Sequence, residues 1–228
     1  MLQSRDSARS GQSARFVNPH KSDRVARLRA IRFDNPACRL AWCKGTLLSC
    51  ALMQSLEGQA MTKMVVRRAG EPDVPVLLQI RNDAHARKVA HRDYAWGHAG
   101  DGFSERWVRN NVAEQDVYVV EREGMAIGTF SLRLGLDDHW GPQAPVAGYV
   151  HGLCVREGFN GCGLGGFMLN WCADTVRSLN RRFVRLDCAV RNAKLCAYYE
   201  SLGFVRAGLY PEPGPGGQVW SLYEKPVG

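Results

Sequence analysis

From residue 63 onward, short apolar runs alternate with stretches whose apolar residues recur at helical spacing. Residues 63–68 read as a strand. Pro72-Asp73 opens a helix on which Val76, Leu77, Ile80 and Ala84 form one face. Ser104 is placed to cap a second helix, with Trp107 and Val108 on its inner side. Residues 117–121 and 126–134 flank Arg122-Glu123-Gly124-Met125 and predict a hairpin. After a loop over 135–146, the pattern predicts a strand at 147–155, a glycine-rich turn and a long helix to about Leu179. A strand at 183–189, a short helix at 194–202 and strands at 204–209 and 219–224 complete the order. That order is β-α-α-β-β-β-α-β-α-β-β, a mixed α/β layer fold with a central sheet flanked by helices.

Residues 1–62 lack this regularity and are rich in Ser and Arg. They read as a disordered basic extension ahead of one domain at 63–228, with a transit peptide or a basic arm for an acidic partner as alternatives. The net charge of +8 localises accordingly. Residues 1–60 hold 10 Lys and Arg against 4 Asp and Glu, whereas the remainder holds 20 against 18. A nearly neutral main body gives no reason to expect a nucleic-acid partner. The longest apolar run, 40–53, is 14 residues long and holds Lys44, too short and interrupted for a membrane span. The eight cysteines form no C-x-x-C pair and no zinc spacing. They read as reduced thiols of a cytoplasmic protein, and no metal is expected.

The chemistry concentrates at Val155-Arg-Glu-Gly-Phe-Asn-Gly161-Cys-Gly163-Leu-Gly165-Gly166. A strand ends, the chain turns through glycines and a helix begins. Backbone N–H groups freed of Cβ atoms, with the helix's own unpaired donors, suit a pyrophosphate. Gly161, Gly163 and Gly166 also match G-x-G-x-x-G, and Asp187 lies 21 residues beyond, as in NAD-binding folds. Too little chain follows Asp187 for the strand–helix units such a domain needs.

Downstream, Asn192-Ala-Lys-Leu-Cys-Ala-Tyr-Tyr199-Glu-Ser-Leu-Gly203-Phe204 resembles the C-terminal signature of the GNAT N-acetyltransferases. Asn160-Gly-Cys-Gly163-Leu-Gly165 resembles that family's Gln/Arg-x-x-Gly-x-Gly/Ala loop, with Asn160 in place of Gln or Arg. Arg156 is then a substitute source of charge. The resemblance implies the GNAT fold and acetyl-CoA as co-substrate. It implies that the strand end at Leu153, Cys154 and Val155 pairs with the pantetheine amides. Asn160, Gly161, Cys162, Gly163, Leu164, Gly165 and Gly166 would hold the pyrophosphate, and Asn192 the pantetheine arm. Tyr199 would protonate the leaving thiolate, with Tyr198 beside it in the core.

The base is sought on the strand at 147–155, where alternation puts Tyr149, His151, Leu153 and Val155 on one face. His151 is the candidate, histidine titrating near neutrality. Asp137, Asp138 and His139 are alternatives or a solvated turn. The acceptor pocket is expected from Asn82, His85, His91, Asp93, Tyr94, Trp96, His98 and Trp107. The implied activity is transfer of acetyl to a primary amine of a small molecule or protein by direct attack in a ternary complex. The alternatives are an acyl-CoA sensor without turnover and an NAD(P)-dependent oxidoreductase. No membrane partner is expected, and a homodimer is compatible with the sequence.

Overall fold

The structure is a computed structural model describing residues 64–211 and 217–228. The expectations for 1–62 lie outside these. Seven strands form one sheet: β1 (Met64–Arg68), β2 (Val117–Arg122), β3 (Met125–Arg133), β4 (Ala147–Val155), β5 (Phe183–Ala189), β6 (Val205–Pro211) and β7 (Val219–Pro226). Among the described residues, four helices flank it: α1 (Val74–Ala90), α2 (Glu105–Glu114), α3 (Leu164–Ser178) and α4 (Ala193–Ser201). The predicted fold class is the one observed.

Local chemistry explains most of the boundaries. Pro72 lies in a 3₁₀ turn, Glu71–Asp73, that leads into α1. The Ser104 hydroxyl accepts from the Trp107 N–H at 3.2 Å and starts α2. Glu123 and Gly124, both at positive φ, make the tight turn that matches the twist of β2 and β3. On β2, Val117 and Val119 pack with α1 and α2, while Val120 packs on the other face. The sheet therefore has a core on each side. One surrounds Phe130, Met168, Val176, Val184 and Tyr223. The other surrounds Val74, Leu77, Ile80, Val108 and Val117. Burying each large side chain contributes about 1.5–3 kcal/mol.

The strand order is β1-β2-β3-β4-β5-β7-β6. Every neighbouring pair is antiparallel except β4 and β5, which run parallel through only Ala147–Phe183, Gly148–Val184 and Tyr149–Arg185. Beyond those pairs the strands separate. β5 stays paired with β7 as far as Ala189–Trp220, and β4 stays paired with β3 as far as Val155–Gly128. The facing edges of β4 and β5 thus frame an opening in the middle of the sheet.

One departure from the sequence pattern shapes this opening. Thr129 pairs with Cys154 and Ser131 with His151, so two steps on β3 oppose three on β4. The extra residue is a bulge at Gly152, whose φ is +56°. The bulge reverses the alternation. Val150, Leu153 and Val155 pack on the α3 side and Cys154 on the α1 side. His151 therefore does not share a face with Leu153 and Val155, contrary to the period-2 expectation.

Candidate active site

A cavity of about 550 Å³ follows the opening between β4 and β5. Leu153 and Val155 of β4 and Leu186, Cys188 and Ala189 of β5 line it. At one end it meets the glycine turn, where Asn160 also lines it. Gly158, Gly161 and Gly163 have φ of +86°, +77° and +75°, a left-handed conformation that only glycine adopts freely. Among the described residues, no atom beyond the chain neighbours lies within 4 Å of where a Cβ on Gly161 or Gly163 would stand. Their missing side chains therefore leave open space rather than admit a neighbour. Gly163 is the N-cap of α3, so the helix's first N–H groups and its positive dipole end open onto the same space. Gly165 has a different reason: a Cβ there would stand 2.4 Å from the Tyr198 hydroxyl. That hydroxyl accepts a hydrogen bond from the Gly166 N–H. Arg156 donates to the Ala126 carbonyl at 3.1 Å, its guanidinium turned to the start of β3.

α4 sets the next groups. Its N-cap is Asn192, whose Oδ1 accepts from the Leu195 N–H at 3.0 Å. Asn192 Nδ2 donates to Asp93 at 2.6 Å, and Lys88 holds the same carboxylate at 2.6 Å. Asn192 also lines the cavity, and its amide fixes α4 against the segment after α1. The two tyrosines exchange their expected environments. Tyr199 belongs to the core beside Phe204 and Tyr223 and is 8% exposed, while Tyr198 is 36% exposed. A one-residue step on a helix turns a side chain by about 100°, and the side of α4 facing the sheet is the one bearing Cys196 and Tyr199. Both tyrosines nonetheless reach the cavity. The Tyr199 hydroxyl has no hydrogen-bond partner among the described residues, and burial pushes its pKa well above the ordinary phenol value.

On the α1 side, His151 Nε2 lies 2.7 Å from Asp137 Oδ2. Asp137 is buried, and its other oxygen accepts from the His139 N–H at 3.1 Å. Burial alone would raise the Asp137 pKa, but the contacts with His151 and the His139 N–H hold it below the usual range. Asp137 is thus no solvated turn residue, although its neighbour Asp138 is exposed. His139 stacks on Tyr210 and Trp220, and its Nδ1 lies 3.3 Å from Asp187, whose carboxylate raises the imidazole pKa. Two histidine–carboxylate pairs therefore border the cavity.

Of the residues expected in the acceptor pocket, His91, Asp93, Trp96 and Trp107 line the cavity. Trp107, expected on the inner face of α2, is 40% exposed and rests against Phe103. Asn82 instead braces the backbone of Phe103, and His85 is buried edge-on to the Phe103 ring. Tyr94 and His98 stack on each other. Arg81, Phe103 and Arg133 also line the cavity, and sequence reasoning missed them. For Arg81 a signal existed: it is a charged residue within the apolar spacing of α1. Among the described residues, no group of three or more His, Cys, Asp or Glu is placed to hold a metal ion, and no helix is long and apolar enough to cross a membrane. Cys154, Cys172, Cys188 and Cys196 are free thiols.

A strand that parts from its parallel neighbour, followed by a glycine turn into a helix, is the arrangement that the resemblance to the GNAT N-acetyltransferases implies. Comparisons with known proteins agree. The acetyltransferase (GNAT) family model matches residues 77–204, and the chain belongs to that family. It is 32% identical over 148 residues to the S-(2-succino)cysteine N-acetyltransferase of Bacillus subtilis (strain 168), covering 62% of this chain and 84% of that one. A GNAT-family acetyltransferase structure from Listeria monocytogenes superposes with a TM-score of 0.58 at 22% identity, over 73% of this chain and 96% of that one. A Salmonella typhimurium structure, yncA, solved with acetyl-CoA, superposes at 0.53 and 19% identity, over 72% and 94%. The protein is an acetyl-CoA-dependent N-acetyltransferase.

Proposed function

We propose that residues 63–228 form a transferase domain that moves the acetyl group of acetyl-CoA onto a primary amine of a small molecule, by direct attack in a ternary complex. The observation that carries this reading is the opening between β4 and β5, whose cavity reaches Asn160 at the start of the glycine turn. The pantetheine arm lies along the free edge of β4 at Leu153, Cys154 and Val155, like an added strand. The pyrophosphate sits at Asn160, Gly161, Cys162, Gly163, Leu164, Gly165 and Gly166. The cavity volume is typical of a small-molecule site. The Bacillus subtilis relative, named for a small amine substrate, supports the same class.

The amine nitrogen attacks the thioester carbonyl carbon, and the C–S bond breaks as the amide forms. Backbone N–H groups near Val155 polarise the carbonyl oxygen. His151 takes the proton lost by the amine. Asp137 orients the imidazole through Nε2, which leaves Nδ1 to accept. Tyr199 donates to the leaving sulfur. Asn192 positions α4, and with it Tyr199, beside the pantetheine arm.

Free-thiol release from acetyl-CoA, measured against a panel of amines that includes S-(2-succino)cysteine, tests the reading. At least one amine is expected to release thiol and to appear acetylated by mass. Binding of acetyl-CoA without release from any amine would favour a sensor module. A second measurement addresses the base. At saturating substrates, His151→Gln should lower kcat by about 100-fold with little change in acetyl-CoA affinity. An unchanged kcat would exclude His151.

A further inference from the structure

Arg81 lies on the inward face of α1, among Leu77, Ile80 and Ala84. It is 4% exposed, and among the described residues its guanidinium has no carboxylate partner and no hydrogen bond. A fold rarely retains a buried charge without a partner, because desolvation is not repaid. The guanidinium carbon sits 5.2 Å from the Trp107 ring and 5.8 Å from the Phe103 ring. Nη1 lies 2.6 Å from where a Cβ on Gly152 would be, so the guanidinium closes on the bulge of β4, next to His151. Arg133 resembles it. Arg133 lines the same cavity, and its Nε is buried without a hydrogen-bond partner among the described residues. The nearby carboxylates are already engaged: Asp93 by Lys88 and Asn192, Asp187 by His139, and Asp137 by His151. Two fixed positive charges are left for whatever enters.

These charges do not belong to the pyrophosphate end. Gly152 precedes Val155 by three residues, about 10 Å along the strand, and the glycine turn begins only after Val155. We infer that Arg81 binds a carboxylate of the acceptor, so that the acceptor is an amine that also carries carboxylate groups, with Arg133 available to a second one. This rests on the transfer reading above. The rigid guanidinium fork matches a planar carboxylate, and the two rings fix its plane.

The test pairs acids with their amides as acceptors: glutamate with glutamine, and aspartate with asparagine, each with a free or an amidated α-carboxyl. Thermal stabilisation by succinate against succinamide, with CoA present, provides a readout that needs no turnover. The parent should prefer the acid of a pair by about 100-fold in kcat/KM. Arg81→Gln should shrink that preference to within about threefold, mainly through KM, and abolish the succinate shift while keeping the shift from CoA. Arg81→Lys should restore part of it. Equal use of acid and amide by the parent, or a preference that Arg81→Gln leaves intact, overturns the assignment. A uniform fall in kcat for every acceptor overturns it too, because it would place Arg81 on the thioester. If no amine is acetylated but the succinate shift still depends on Arg81, the carboxylate site stands and the transfer reading fails.

Discussion

Gly163→Val is expected to abolish detectable acetyl-CoA binding, with affinity lowered by at least about 100-fold, in a protein that remains folded. The backbone at Gly163 has φ of +75°, so a β-branched residue there carries a left-handed strain of roughly 1–2 kcal/mol, which a domain of this size survives. The larger effect is spatial. Among the described residues, no atom beyond the glycine's own chain neighbours lies within 4 Å of the new Cβ, so the valine side chain projects into open space. It occupies the space in front of the α3 N-terminus, where the phosphates are proposed to lie. Titration calorimetry with acetyl-CoA, alongside a melting curve, separates the two effects. Affinity within threefold of the parent in a folded variant would remove the glycine turn as the anion site.

Tyr199→Phe is expected to lower kcat by about 10- to 100-fold with little change in acetyl-CoA affinity. The ring stays packed against Phe204 and Tyr223, so the substitution removes one oxygen and little of the core. That oxygen has no partner in the protein among the described residues, which leaves it free for a ligand. Protonating a thiolate of pKa about 8.5 from a phenol of about 10 costs roughly 2 kcal/mol for unperturbed groups. Burial lifts the Tyr199 value further, but a leaving sulfur held in the same cavity would be desolvated and more basic as well. With Tyr199 as the proposed acid, the proton would therefore move as the C–S bond breaks, not before. Single-turnover rates across the pH range provide the check, and a variant as fast as the parent throughout would exclude Tyr199 as the acid.

Much of this architecture was legible in the residues. The bounds of β4, the turn at Glu123-Gly124, the Ser104 cap and the glycine turn all follow from local chemistry, which acts over a few neighbouring positions. What escaped depends on partners far away in the chain. The insertion of β7 between β5 and β6 is a long-range pairing that no short pattern encodes. The bulge at Gly152 looks like any strand glycine until β3 is laid beside it, and it moves His151 to the other face. Tyr198 and Tyr199 are equivalent aromatics in sequence, and only the direction in which α4 docks distinguishes them. Asp137 reads as loop punctuation, yet it is buried because His151 comes to meet it. Arg81 was hidden by a sound rule, that charges on an amphipathic helix face water.

The three-pair seam between β4 and β5 also bears on the order of events. Backbone pairing is thinnest there, so the sheet is really two antiparallel blocks joined by those few pairs and by α3, which lies across both. Opening motions cost least along such a line. A donor whose amide groups complete the edge of β4 would act as a splint, joining the blocks while it presents its thioester. The acceptor would then enter a site already stiffened and would lose less freedom on binding than it would in the empty protein. Donor first, acceptor second is the sequence that this geometry favours. Departure of CoA would remove the splint and loosen the site around the finished amide.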